Sequence, residues 1–214
     1  MKKLLTLISL MLLLAAETSA TSATSVLGGA EQQRVIDKIN AASSAINSLT
    51  ASFVQVKQLS LLNDKLSSRG QMAYTKPDRL RWEYTSPYSY LFVINGSKVQ
   101  TGGNARKDVI DTASNKLFAE VTRIMMASVT GKALADKQDF DISVGQTSSV
   151  WEVTLLPRKK TMRQMMSRIE LLFAKNSLTI TQITITEKNG DRTVIKLSDV
   201  KTNVPVKDSL FAIP

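Results

Sequence analysis

The sequence predicts an α+β fold, a strongly curved antiparallel sheet packed against two amphipathic helices. Three observations carry this prediction. Two stretches repeat apolar residues at helical spacing, and about ten short stretches alternate or run apolar as strands do. Asn-Gly pairs also stand at two joints between strands, where a tight hairpin needs positive φ angles. No internal repeat or long linker divides the 214 residues, so a single domain is expected.

The elements follow in chain order. Lys2 and Lys3 precede the apolar run "LLTLISLMLLLAA" and the small residues "ETSATSATS", the pattern of a secretory signal peptide. The run is short for a membrane span. Cleavage after Ala20 is expected, with Ala23 an alternative, so residues 1–20 are the signal peptide and 21–214 the domain. From Glu31 to Leu49 the residues Val35, Ile36, Ile39, Ala42, Ile46 and Leu49 form one apolar helix face. "SFVQVKQLS" alternates in part. "KLSSRGQMAYT" then places Leu66, Ser68, Gly70, Met72 and Tyr74 on one strand face. "RLRWEYT" alternates throughout, sending Leu80, Trp82 and Tyr84 one way and Arg79, Arg81 and Glu83 the other. "YLFVINGSKV" turns at Asn95-Gly96.

Helical spacing returns at Lys116–Val129, with Leu117, Val121, Ile124, Met125 and Val129 on one stripe. Asp108 and Asp111 precede this helix and are expected to solvate or cap it. "DFDISVG" and "VWEVTLLP" read as a hairpin pair, with Asp139 and Asp141 pointing outward. The basic segment "RKKTMRQMMSR" follows. Three strands then run to Asn203, the last two joined at Asn189-Gly190, and "VPVKDSLFAIP" is expected to close the sheet. A sheet that curls has a concave apolar face. Two helices can fill that hollow as a solid core or cap it as a cavity.

Composition narrows the chemistry. There is no cysteine, which excludes disulfides and an acylated lipoprotein cysteine. There is no histidine, which removes Ser-His and Cys-His catalysis and most zinc sites. No phosphate loop or metal constellation occurs, so no cofactor and no metal are expected. A cofactor-free Ser-Lys hydrolase stays formally open, although no recognisable motif places such a pair. The net charge is +10. Removing Lys2, Lys3 and Glu17 takes away two positive charges and one negative, leaving +9. In an exported chain this favours anionic lipid surfaces or acidic proteins. No stacking pattern of aromatics supports nucleic-acid binding.

"ASFVQVKQ", "SRGQMAYTKPDRLRWEYTSP" and "YLFVINGSKV" together resemble, in order and spacing, the N-terminal half of the LolA family of periplasmic outer-membrane lipoprotein carriers. The closing "SLFAIP" resembles that family's terminal Phe-x-x-Pro. Residues 31–99 carry the resemblance, and the C-terminal half follows by pattern only. The resemblance implies an unclosed β-barrel (half-barrel) with amphipathic lid helices over a hydrophobic cavity. It implies a non-enzymatic, soluble, monomeric chaperone of the periplasm that holds the acyl chains of lipoproteins. Such a carrier takes its cargo from an inner-membrane ABC-type release complex and passes it to an outer-membrane acceptor. A lipid- or glycolipid-binding or lipoprotein-sensing relative is the alternative.

The expected cavity residues are Phe53, Met72, Tyr74, Leu80, Trp82, Tyr84, Leu91, Val93, Val121 and Met125. The bland reading of the same set is solid core. Lys76 occupies the family's lid-latch position, where arginine is usual, and lysine brings a point charge with fewer directed donors. Arg79, Arg81, Arg158, Lys159 and Lys160 are candidate contacts to a partner or to lipid headgroups, against a default of solvated surface. The last strands show no counterpart of the extra C-terminal loop found in some family members, and this leaves handover to the acceptor open.

Overall fold

A computed structural model of the chain describes residues 25–61, 64–103, 107–112, 123, 126–127, 134 and 138–213. The expected signal peptide lies outside them. The described strands are β1 (Ser25–Val26), β2 (Ser48–Leu59), β3 (Asp64–Thr75), β4 (Arg79–Ser86), β5 (Tyr90–Asn95) and β6 (Lys98–Gly103). They continue with β7 (Lys107–Asp111), β8 (Phe140–Gln146), β9 (Val150–Pro157), β10 (Met166–Ala174), β11 (Ile180–Glu187) and β12 (Arg192–Thr202). Helix α1 spans Gly29–Ser44, the short α2 spans Lys160–Met165, and residues 123 and 126–127 are helical. No helix among the described residues is long and apolar enough to cross a membrane.

The twelve strands form one antiparallel sheet in the order β1-β8-β9-β10-β11-β12-β2-β3-β4-β5-β6-β7, and β1 and β7 do not pair. The sheet is therefore not closed. It is strongly curved, because residues near opposite ends of that order, such as Val144 and Val99, join a single core. The turns are those read from the sequence. Gly96 (φ +59) sits in the β5–β6 hairpin and Gly190 (φ +90) in the β11–β12 hairpin, both angles open to glycine.

Directly paired positions form apolar rows across the inner face. One row is Leu49–Tyr74–Leu80–Ile94–Val99, from β2 to β6. Another is Val144–Val153–Leu171–Ile183–Ile195, across β8, β9, β10, β11 and β12. Helix α1 lays Val35, Ile36 and Ile39 onto this face, and Leu134 and Met162 are buried in the same cluster. The Gln32 amide reaches from α1 to β8, donating to the Ile142 carbonyl (3.1 Å) and accepting from the Val144 N–H (3.2 Å).

Three expectations are adjusted. Leu49 does not extend the helix; it belongs to β2, in phase with Ala51 and Phe53. Asp108 and Asp111 lie on a strand, β7, and the start of the helix expected after them lies outside the described residues. The C-terminal tail adds no strand. Asn203 takes a positive φ (+57), Pro205 has no N–H to pair, and the chain leaves the sheet for its outer side. There a 3-10 turn, Asp208–Phe211, buries Phe211 against Ala73 and Val93 in a second, smaller cluster.

Candidate functional site

Among the described residues, β2–β4 form the most aromatic part of the inner face. Phe53 packs on Trp82 with ring centroids 4.4 Å apart and meets Tyr84 edge-on at 5.2 Å. Gly70 makes room for this group. A Cβ there would lie 2.7 Å from Phe53 Cζ and 1.9 Å from the Glu83 carbonyl oxygen, at a bulge between β3 and β4. The Tyr84 hydroxyl donates to Gln55 Oε1 at 3.0 Å. Burial raises the Tyr84 pKa, and the neighbouring Trp82 indole and Gln55 amide partly offset that rise. Burial also raises the pKa of Tyr74, with the Asp78 charge adding to the effect.

Helix α1 packs its apolar face into the same core, and its C-terminal end is tied down by polar contacts. The last-turn carbonyl groups of a helix have no partners within it, and a cation there also meets the negative end of the helix dipole. Lys76 Nζ donates to the Ser44 carbonyl (2.5 Å) and to Asn47 Oδ1 (3.3 Å). Asn203 Nδ2 donates to the Ala45 carbonyl (3.2 Å), and Asn203 Oδ1 accepts from the Asn47 N–H (2.7 Å). The helical segment around residue 123 is tied separately. Its Arg123 pairs with Asp139, whose other oxygen receives Lys159 Nζ at 2.7 Å. Asp139, read from sequence as an outward strand residue, has a side chain only 5% exposed. Strand alternation could not reveal this, because Asp139 precedes β8.

The structure brings Phe53, Met72, Tyr74, Leu80 and Trp82 together on the inner face, all buried, with Tyr84 half-buried beside them. Leu91 and Val93 must be corrected. They point to the outer face and pack in the second cluster with Phe211, while Phe92 and Ile94 take the inner positions. Every residue of "YLFVI" is apolar, so alternation alone carries no phase there. The Asn95-Gly96 turn could have supplied it, because it sets Ile94 opposite Val99 and so in line with Leu80. Val121 and Met125 lie outside the described residues; Met126 beside them packs against the main core.

Four of the five basic candidates have intramolecular partners. Arg79 pairs with Asp208 at 2.6 Å and stands over the Phe211 ring, 5.3 Å from its centroid. Arg81 Nη1 donates to the Leu210 carbonyl (3.2 Å) and Nη2 pairs with Glu83 (2.9 Å). Both arginines therefore help hold the tail. Arg158 pairs with Asp141 at 2.5 Å, Lys159 with Asp139, and Lys160 opens α2 on the surface. Sequence reasoning missed the tail clamp, whose partners are 129 positions apart for both Arg79–Asp208 and Arg81–Leu210.

Comparison with known proteins places this architecture. The profile of the family described as outer membrane lipoprotein carrier protein LolA matches residues 44–214. An outer-membrane lipoprotein carrier protein of Coxiella burnetii (strain CbuK_Q154) is 30% identical over 67% of this chain and 65% of its own length. This match therefore spans a little under two thirds of that relative. A namesake from Legionella pneumophila (strain Corby) is 26% identical over 78% of this chain and 79% of its own. Among solved structures, an uncharacterized conserved protein from Thermus thermophilus shares the fold, with a TM-score of 0.50 and 11% identity. The superposition covers 85% of this chain and 93% of the other. With an unclosed sheet, a helix-covered apolar inner face and a family match over most of its length, the chain belongs to the LolA family of outer membrane lipoprotein carrier proteins.

Proposed function

We propose that the protein is a non-enzymatic carrier that takes up the acyl chains of lipoproteins between its curved sheet and α1. The observation that carries this reading is the apolar inner face, continuous across β2–β6 and β8–β12, covered by a helix whose C-terminal end is held by a few polar contacts. A face of this kind exposes lipid-compatible surface when the helix lifts and seals it when the helix returns. Phe53, Met72, Tyr74, Leu80 and Trp82 would line the opened hollow, and Lys76 would act as the latch.

The energetics suit a carrier better than a sink. Enclosing an acyl chain of roughly fifteen methylenes yields about 12 kcal/mol. Withdrawing Val35, Ile36 and Ile39 from the core costs about 6 kcal/mol at ~2 kcal/mol per side chain. The remainder, about 6 kcal/mol, corresponds to a Kd of tens of micromolar per chain. Cargo with more than one chain is held firmly, yet an acceptor with a better pocket can remove it. In this reading the protein works in the periplasm, loads at an inner-membrane release complex and unloads at the outer membrane.

The test is incubation with inner-membrane vesicles carrying a labelled lipoprotein and the release complex. A stoichiometric soluble complex is expected, and Leu80→Glu should abolish it by placing a carboxylate in the inner wall. No soluble complex with the wild-type protein, or undiminished loading of a folded Leu80→Glu variant, refutes the reading.

A further inference from the structure

Among the described residues, three buried polar atoms associated with the inner wall and its cover have no hydrogen-bond partner: the Tyr74 hydroxyl, Trp82 Nε1 and, on α1, Asn40 Oδ1. A fourth, Thr75 Oγ1, belongs to the alternate face of β3. The Trp82 indole lies near enough to the Tyr84 oxygen to favour the phenolate, but no hydrogen bond of good geometry joins them. Tyr74 is 1% exposed and Trp82 3%, so neither side chain stands open at the surface. An apolar wall built only to close on itself needs neither group. Phenylalanine would supply a ring at either position without the standing penalty of a buried donor left unpaired.

Their placement is specific. Tyr74 lies opposite Leu80 and Met72 lies opposite Trp82, which makes Tyr74 and Trp82 diagonal neighbours on one face of β3–β4. Such neighbours stand about 7–8 Å apart at the backbone. The adjacent Tyr84 hydroxyl already donates its proton to Gln55. Among the described residues the inner wall therefore keeps two buried donors without hydrogen bonds at diagonal positions of β3–β4, with an acceptor on α1, which packs into the same core.

We propose that Tyr74 and Trp82 are a donor pair for the carbonyl oxygens of ester-linked fatty-acyl chains. The inner wall would thereby distinguish acyl chains joined through carbonyl groups from bare alkyl chains. This deepens the carrier reading and rests on it. Two ester carbonyls on neighbouring carbons of one glyceryl unit present two acceptors close together, the complement of two diagonal donors. Asn40 Oδ1 offers an acceptor to an amide N–H in the same ligand, as in an N-acylated lipopeptide. A phospholipid provides the ester carbonyls without such an amide beside the chains.

The experiment displaces a bound fluorescent fatty acid with a diacylglycerol or with its dialkyl-ether counterpart of equal chain length. Wild-type protein, Tyr74→Phe and Trp82→Phe are compared, and the readout is the ester/ether affinity ratio within each protein, which cancels packing changes. The wild type should favour the ester about 10-fold or more. Each substitution should lower that ratio about 5-fold, the worth of one hydrogen bond. Tyr74→Phe should also unfold at the same urea concentration or a higher one, because it removes an unpaired buried hydroxyl. Equal affinity for ester and ether, or a ratio unchanged in both variants, overturns the inference while leaving the carrier reading intact. Failure of both lipids and of a diacylglyceryl lipopeptide to displace the probe overturns both. A second arm separates the sources of the ester. Asn40→Leu should weaken binding of an N-acylated diacylglyceryl lipopeptide and spare phosphatidylglycerol; equal weakening of both removes Asn40 from the site.

Discussion

Phe211→Ala should release the C-terminal tail from the outer face of the sheet while the sheet itself stays folded. Phe211 is fully buried against Ala73 and Val93, with Leu91, Val206 and Ile213 packed around it. Truncating a buried phenylalanine costs about 3–5 kcal/mol. The other tail contacts are weaker. The Arg79 guanidinium over the ring contributes about 0.5–1 kcal/mol, and the Arg79–Asp208 pair at most about 1 kcal/mol, because Asp208 is 84% exposed. The apolar anchor therefore decides whether the tail stays, and the two arginines orient it. Two measurements separate local release from global loss. If the whole loss were global, the urea midpoint would fall by about 1–2 M at a slope of ~2–3 kcal/mol/M. Local release instead predicts a smaller shift together with rapid removal of the last residues by carboxypeptidase, read by mass spectrometry. Wild-type resistance to carboxypeptidase in Phe211→Ala, or an effect of Asp208→Ala as large as that of Phe211→Ala, would refute the reasoning.

Further outcomes follow from other contacts. Gly70→Ala puts a methyl group 1.9 Å from a backbone oxygen that cannot rotate away, so a loss of about 3 kcal/mol or more is expected in urea unfolding. Asp139→Asn leaves Arg123 and Lys159 facing an uncharged amide. It should cost about 2–3 kcal/mol and raise amide hydrogen exchange at residues 123, 126 and 127; unchanged exchange there would show that Asp139 does not tie that segment. Asp191 accepts hydrogen bonds from the Ser60 N–H (2.9 Å) and hydroxyl (3.1 Å), which hold its pKa below the usual 3.8. Its contribution is fully present above pH 3.8 and disappears as pH falls through the lower folded-state value. The stability gap between wild type and Asp191→Asn should therefore be constant near neutrality and close in acid; a gap that widens on acidification contradicts the assignment.

Much of the architecture was legible because period-two alternation and hairpin turns are local signals. Leu80, Trp82 and Tyr84 face inward as read, and both Asn-Gly hairpins lie where their residues demand positive φ. Phase failed where alternation was silent. In "YLFVI" every residue is apolar, and the choice between Leu91/Val93 and Phe92/Ile94 was made by pairing with β4 and β6. The charges of Arg79 and Arg81 were visible but their use was not, because the tail that claims them returns from the far end of the chain. Asp139 was misjudged for a related reason. Its burial depends on cations from two other segments, and no spacing in the sequence announces a contact of that kind.

Among the described residues the twelve-stranded sheet does not close, so β1 and β7 are its edge strands, and a sheet edge is a template on which another chain could pair. The Gln32 amide bears on this problem. By meeting one carbonyl and one N–H of β8 just beyond the two-residue β1, it occupies the backbone positions that an incoming strand would need. At the other edge β7 presents Lys107, Asp108 and Asp111, charges that a neighbouring strand would have to desolvate. An unclosed sheet would otherwise invite fibre-like association, and one glutamine and three charged residues stand in its way.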